Sequence, residues 1–451
     1  MKKLHILGIG GTFMGGIARL ARELGWQVSG SDGPLYPPMS TELAKLGVTV
    51  HEGYTADALV PHPDEVIVGN VMSRGNPALE YVLNADIPYM SGPAWLARYI
   101  LSRKKVLAVS GTHGKTTTTA LLTWILHEAK LSPGYLIGGV ANGLPGTAAV
   151  GEGDYFVIEA DEYDSAFYDK RPKFLHYRPD VLMINNIEFD HGDIYADLAA
   201  IERQFHYLVR TVPGQGAIIV PSRDATVNRV LAAGCWSHRV TVGAEGEWDY
   251  VLHQPDGREF SVVSEGRVWG PVRWSLIGEH NVSNAVMAIV AAMQVGVDIS
   301  TALAALATFA GVKRRLEHKG EVNGITVFDD FAHHPTAIAK TVEGFRRSVG
   351  DQARIIVVAE LASNTMSQGL HDPVALGQAF NAASRVVLLQ PARFTVDLDA
   401  FAAPVEILAS VDNIMAHLKD LLRSGDYVLI LSNKGFGGLP DRLVAELALR
   451  T

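Results

Sequence analysis

The chain has 451 residues, 48% hydrophobic and 19% charged, which gives apolar material for several cores and a rough prior of about three domains. A formal charge of −9 argues against a nucleic-acid partner, and a lone cysteine, Cys235, excludes an intrachain disulfide and fits a reducing cytoplasm. No apolar run reaches the ~18 residues of a membrane span, and the start Met1-Lys2-Lys3 leads into a glycine-broken run that reads as a strand rather than a leader.

In chain order, residues 3–9 predict a buried strand, followed by the turn Gly10-Gly11-Thr12-Phe13-Met14-Gly15-Gly16 and a helix to residue 24. A second strand at 27–31 ends at Asp32. This β-α-β opening with a terminal acid superficially matches a dinucleotide fingerprint, but G-x-G-x-x-G counted from Gly8 needs glycine where Phe13 stands. A nucleotide-bearing ligand other than a redox dinucleotide is the better reading. Strands at 48–51, 66–68 and 87–89 continue the alternation to a polar joint, Ser102-Arg103-Lys104-Lys105, which marks a first boundary.

An apolar strand at 106–109 then breaks at Ser110-Gly111, and a helical pattern begins around residue 121. The loop between them, Gly111-Thr112-His113-Gly114-Lys115-Thr116, is a tighter version of a phosphate-binding loop, because Val109 stands where the common motif has its first glycine. Backbone N–H groups of such a loop and the helix's positive end cradle phosphates. Lys115 is placed to reach the β/γ-phosphates and the Thr116 hydroxyl to ligate Mg²⁺. Further strands are predicted at 155–160, 181–184 and 217–220 in a mostly parallel sheet covered on both faces. Residues 239–278 read as an antiparallel annex, 279–310 as a buried helix pair, and 311–315 as a second boundary. The last third alternates again, with strands at 326–328, 354–358, 386–389 and 427–431.

Several constellations could carry chemistry. Glu159-Ala160-Asp161-Glu162 closes one strand, where an α/β sheet places its ligands, and Asn185 to His191 closes the next. Mg²⁺ prefers oxygen donors, so His191 is either an unusual ligand or a structural histidine. Asn281, within Glu279-His280-Asn281-Val282-Ser283-Asn284, is either functional or a helix cap. Lys313 to Glu317 is either a site element or a solvated joint, and Asp329-Asp330 precedes a proline, Pro335, that permits a new helix.

Taken together, GGTFMGG, GTHGKTT, EADE, NIEFDH, EHNVSN and KRRLE with DDFAHHP resemble, in order and spacing, the Mur ligase family of ATP-dependent amide-bond ligases of cell-wall synthesis. The resemblance spans essentially the whole chain. It implies a three-domain α/β architecture: a Rossmann-like UDP-sugar domain at 1–103, a P-loop ATPase domain at 104–312, and a Rossmann-like domain for the amine substrate at 313–451. It implies ATP as co-substrate and Mg²⁺ as cofactor, the metal held by Thr116, Glu159 and His191. ATP would be bound by Gly111, Thr112, His113, Gly114, Lys115, Thr116, Thr117, Asn281, Asn284 and Arg315. Catalysis would rest on Lys115, Glu159, His191, Arg315 and Asp330, and the UDP-sugar on Gly10, Gly11, Thr12, Asp32 and Ser73. The implied chemistry is an acyl phosphate formed from a carboxylate and ATP, then attacked by an amine in the cytoplasm.

Several family branches carry a carbamylated lysine after NIExDH. Gln204-Phe205-His206-Tyr207 here has none, which favours the branch using UDP-N-acetylmuramate itself as acceptor. Its amine is either L-alanine or the murein tripeptide L-Ala-γ-D-Glu-meso-diaminopimelate. Resemblance at 10–15, 73–77, 363–366 and 432–438 points to the tripeptide, to be held by Ser363, Asn364, Arg393 and Lys434. Two departures stand out: Ala362 replaces an arginine of the resembled motif, and Lys434 replaces a glycine. A nucleotide-dependent switch is the alternative of a different class, although it would not need acid, histidine and arginine on three separate segments.

Overall fold

The computed structural model describes residues 1–35 and 39–449, an α/β chain built on three sheets. The first has five parallel strands in the spatial order Thr49–Glu52, Gln27–Asp32, Lys3–Leu7, Glu65–Val68, Tyr89–Ser91. The order reverses beside Lys3–Leu7, so the crevice at that strand's C-terminal end is where such a sheet receives a ligand. The expected strand at 3–9 stops at Leu7 because Gly8, with φ +83°, turns the chain toward the helix Thr12–Glu23. The strand expected at 87–89 lies at Tyr89–Ser91.

The second sheet has ten strands. Its parallel centre runs Ala217–Pro221, Val181–Ile184, Lys105–Ser110, Tyr155–Ala160, Gly134–Leu136. Side chains alternate across it: Val106 and Ala108 face one core, Leu107 and Val109 the other. Burial on both faces explains why these strands read as unbroken apolar runs. The annex at 239–278 is a continuation of this sheet rather than a separate body. Its first strand, His238–Val242, is parallel to Ala217–Pro221, and antiparallel pairing holds only from Trp248–Leu252 through Arg267–Arg273. Helices Lys115–Glu128, Glu279–Met293 and Ile299–Thr308 share the second core. The first core extends into the N-terminal sheet, where Ile17 and Leu136 belong to one buried cluster, so the first two sheets pack together.

The third sheet has six strands, parallel except for the edge hairpin of Glu317–Val322 with Ile325–Asp330. Sequence reasoning misses Glu317–Val322, whose Glu-His-Lys-Gly-Glu-Val has no apolar run. As an edge strand with little to bury, it needs none. The opposite edge strand, Val405–Leu408, parallel to Arg385–Leu389, is also missed. Pro335 does open a helix, Pro335–Val349, with the His334 ring as its N-cap.

Candidate active site

The phosphate loop joins Lys105–Ser110 to Lys115–Glu128, and its conformation requires glycine twice. Gly111 (φ +131°) would press a Cβ to 3.0 Å from the Asn186 carbonyl oxygen, and Gly114 (φ +80°) would press one to 2.8 Å from Asn284 Oδ1. Neighbouring loops hold it in shape: His113 N–H donates to Asn186 Oδ1 (2.8 Å), and Thr112 Oγ1 accepts from Glu188 N–H (2.9 Å).

Lys115 Nζ donates to the Gly111 carbonyl (2.7 Å) and to Glu162 Oε2 (2.9 Å), with Asp161 Oδ1 at 3.7 Å. Burial disfavours its charge, but Glu162, Asp161 and Glu159 outweigh that and hold the ammonium above the ordinary lysine range. Glu162 is depressed to about 2: its burial is overcome by Lys115 and by His191, whose Nε2 lies 3.2 Å from Glu162 Oε1. Glu159 lies near the end of the strand Tyr155–Ala160. Its Oε1 accepts from the Thr116 hydroxyl (2.9 Å) and its Oε2 from Gly138 N–H (2.7 Å). Burial and Asp161 raise it above the usual carboxylate range, against the pull of Lys115. Thr116 and Glu159 thus present adjacent hard oxygens of the type Mg²⁺ takes. His191 is instead engaged by Glu162, so the structure does not bring all three expected metal residues into one contact set.

The C-terminal sheet completes the cleft. Arg315 Nη2 donates to Thr116 Oγ1 (3.1 Å), and its guanidinium lies over the Phe331 ring. Asp330 is tied to backbone: Oδ2 accepts from Leu316 N–H and Oδ1 from Ala332 N–H, both at 2.7 Å. It shapes the segment carrying Arg315, and burial raises its carboxyl above the usual range. Asn281 is not a helix cap; Gly278 holds that position, and Asn281 Nδ2 donates back to the Ile277 carbonyl (2.7 Å). Asn284 contacts Asn281 and Asn185, the latter beside the phosphate loop. Thr117 is buried in the first turn of Lys115–Glu128.

His113, Glu188 and His334 each bring one ligand atom within 4.8 Å of the others. That cluster is an interdomain hydrogen-bond set rather than a cation cage. His334 Nδ1 already accepts from Thr336 N–H (3.2 Å), its Nε2 lies 3.2 Å from the Phe189 carbonyl, and Glu188 Oε2 accepts from the Thr336 hydroxyl (2.5 Å). A second clasp joins the same two bodies, where Thr365 Oγ1 donates to Asp190 Oδ1 (2.7 Å) and Asn364 Nδ2 to Asp193 Oδ2 (2.8 Å).

At the first sheet, Asp32 pins the glycine turn, accepting from Gly10 N–H (2.6 Å), Gly33 N–H (2.8 Å) and the Tyr54 hydroxyl (2.9 Å). Gly11 is the N-cap of Thr12–Glu23, and Ser73 is exposed in the loop before Pro77–Asn84. Ser363 caps the short helix Asn364–Ser367 and is buried. Arg393 and Lys434 are exposed. Among the described residues neither side chain makes a hydrogen bond or ion pair. The structure also adds a residue that sequence reasoning missed. Lys173 is buried between Phe13 and Tyr163 (ring centroids 4.3 and 4.1 Å away), and the signal in the sequence was a lysine leading directly into the apolar pair Phe174-Leu175.

Comparison with known proteins agrees with this layout. A model of the Mur ligase family catalytic domain matches residues 3–104, one of the Mur ligase middle domain matches 109–292, and one of the Mur ligase glutamate ligase domain matches 314–434. The chain is 50% identical over 450 residues to a UDP-N-acetylmuramate–L-alanyl-γ-D-glutamyl-meso-2,6-diaminoheptandioate ligase of Escherichia coli K12, covering 99% of this chain and 98% of that one. It is 35% identical to a UDP-N-acetylmuramate–L-alanine ligase of Desulforapulum autotrophicum, over 82% of this chain and 79% of that one. Among solved structures, a murein peptide ligase of Psychrobacter arcticus is 42% identical with a TM-score of 0.79, covering 100% of both chains. With family models on all three sheets and full-length relatives, the chain belongs to the Mur ligase family.

Proposed function

We propose that this chain joins the tripeptide L-alanyl-γ-D-glutamyl-meso-diaminopimelate to the carboxylate of UDP-N-acetylmuramate at the expense of ATP, in peptidoglycan recycling. The observation that carries this reading is full-length identity of 50% to a ligase of that name, against 35% to one that uses L-alanine. No helix among the described residues is long and apolar enough to cross a membrane. Both nucleotide substrates are cytoplasmic, and we place the reaction there. The first sheet takes the UDP-sugar at the turn that Asp32 organises, the central sheet takes ATP on the phosphate loop, and the C-terminal sheet brings the tripeptide, with Ser363, Asn364, Arg393 and Lys434 nearest its anionic end.

A carboxylate is a poor acylating agent, so ATP first converts it to an acyl phosphate. Lys115 neutralises the transferring phosphoryl group, and its aim is preset by the Glu162 and Gly111 contacts. Thr116 and Glu159 would hold Mg²⁺, which when bound supplies positive charge to the phosphate oxygens. Arg315 reaches Thr116 from the far side, so the nucleotide site is complete only when the C-terminal sheet is docked. His191 is held by Glu162, and its neighbour Asp190 is bonded by Thr365 of the C-terminal body, which brings the amine substrate. Requiring three bodies to close before chemistry protects the reactive intermediate from water. Incubating the chain with ATP, Mg²⁺ and UDP-N-acetylmuramate, with either tripeptide or L-alanine, tests the reading. Tripeptide-dependent phosphate release and the matching muramoyl tripeptide by mass are expected; a preference for L-alanine would overturn it.

A further inference from the structure

Lys173 opens a short turn, Lys173–His176, pinned to the acid segment by Lys173 N–H to the Tyr163 carbonyl (3.0 Å) and Phe174 N–H to the Asp161 carbonyl (3.3 Å). Its residue exposure is 4%, and its ammonium lies between the rings of Tyr163 and Phe13. Among the described residues it makes no hydrogen bond, and the nearest carboxylate is Asp161 Oδ2 at 4.0 Å. A buried ammonium with three unused donors is costly unless an anion completes it. Aromatic rings stabilise the charge but do not accept its hydrogen bonds.

Its position says which anion. Phe13 belongs to the first turn of Thr12–Glu23, directly after Gly10, Gly11 and Thr12. Asp161 is shared: Oδ1 is 3.7 Å from Lys115 Nζ and Oδ2 is 4.0 Å from Lys173 Nζ. One cation therefore stands on the ATP side of this acid and the other on the side of the glycine turn. Resting on the function proposed above, we propose that the Lys173 ammonium seats the acceptor carboxylate of UDP-N-acetylmuramate. There it hydrogen-bonds the lactyl carboxylate and holds it beside the phosphoryl group that Lys115 binds. In the transfer, a carboxylate oxygen forms the new P–O bond, the bond from the γ-phosphorus to the β-bridging oxygen breaks, and ADP leaves with that electron pair. Lys173 keeps its proton throughout.

UDP-N-acetylglucosamine carries a free 3-hydroxyl in place of the 3-O-lactyl group and is otherwise the same ligand, so the pair reads the contacts of that group and the Lys173 variants read the carboxylate's share of them. Dissociation constants for both are measured calorimetrically on the full chain, on Lys173→Met and on Lys173→Gln. Wild type should prefer the muramate, and both variants should lose at least tenfold of that preference while binding UDP-N-acetylglucosamine within twofold of wild type. A purely structural Lys173 would move both constants together. The preference surviving in a variant that still binds UDP-N-acetylglucosamine overturns the assignment of Lys173, as does a wild type with no preference. A wild type that binds neither sugar nucleotide overturns the functional reading itself.

Discussion

Gly138→Ala tests how closely the Glu159 carboxylate must be placed. Gly138 does not sit at positive φ, so alanine meets no backbone penalty there. Its Cβ would, however, lie 2.6 Å from Glu159 Oε2, 3.1 Å from Cδ and 3.2 Å from Oε1. Opening the shortest contact to the 3.0 Å floor of real Cβ contacts displaces the carboxylate or the loop by at least 0.4 Å. It also strains the 2.7 Å bond from Gly138 N–H that now holds Oε2. A misplacement approaching 1 Å costs on the order of 100-fold in rate, so a 10- to 100-fold fall in kcat is expected, roughly 1.4 to 2.7 kcal/mol of barrier. The Mg²⁺ concentration for half-maximal rate should rise as well, since Glu159 would be a ligand. Phosphate release measured across a Mg²⁺ titration, with the thermal midpoint followed in parallel, decides it. A variant with the wild-type rate and Mg²⁺ dependence would refute the role given to Glu159.

Lys115→Met should leave less than a tenth of the phosphate release. It should also lower the thermal midpoint, because removing one partner of a buried ion pair costs roughly 3–5 kcal/mol and strands Glu162; unchanged stability would count against that buried pairing. Thr365→Val deprives Asp190 of its cross-body hydrogen bond at a cost of about 1.5–3 kcal/mol, so solution scattering should report a more open particle and the tripeptide KM should rise. Burial lowers His5 from 6.5 to about 4, with His51 adding to the effect, so its contribution to stability is present above pH 6.5 and is lost as pH falls toward 4. By pH 5.5 this single group costs about 1.4 kcal/mol, and the thermal midpoint should fall across that window, less steeply in His5→Gln. Lys434→Ala should raise the tripeptide KM more than it lowers kcat, as loss of uniform binding does; an unaltered KM would remove Lys434 from substrate binding.

Much of this molecule is legible residue by residue. The strand, tight loop and helix around Gly111 to Thr116 follow from an apolar run, two glycines and a Lys-Thr pair, and the central strands follow from continuous apolar runs buried on both faces. Those signals lie within about ten residues of one another, so the chain's own order contains them. Where burial is slight the signal disappears, which is why the polar edge strand Glu317–Val322 is silent in the sequence. Pairings between distant segments are different in kind. Glu162 rather than Glu159 holds His191 across 29 positions, Thr365 reaches Asp190 across 175, and Asp330 spends both carboxylate oxygens on backbone. Motif membership alone assigns all of these residues to one site without saying which touches which. Strand order, the docking of three sheets and the rotamers their packing leaves open decide that, and they alone bring Lys173 and Phe13, from different bodies, to the two sides of one buried charge.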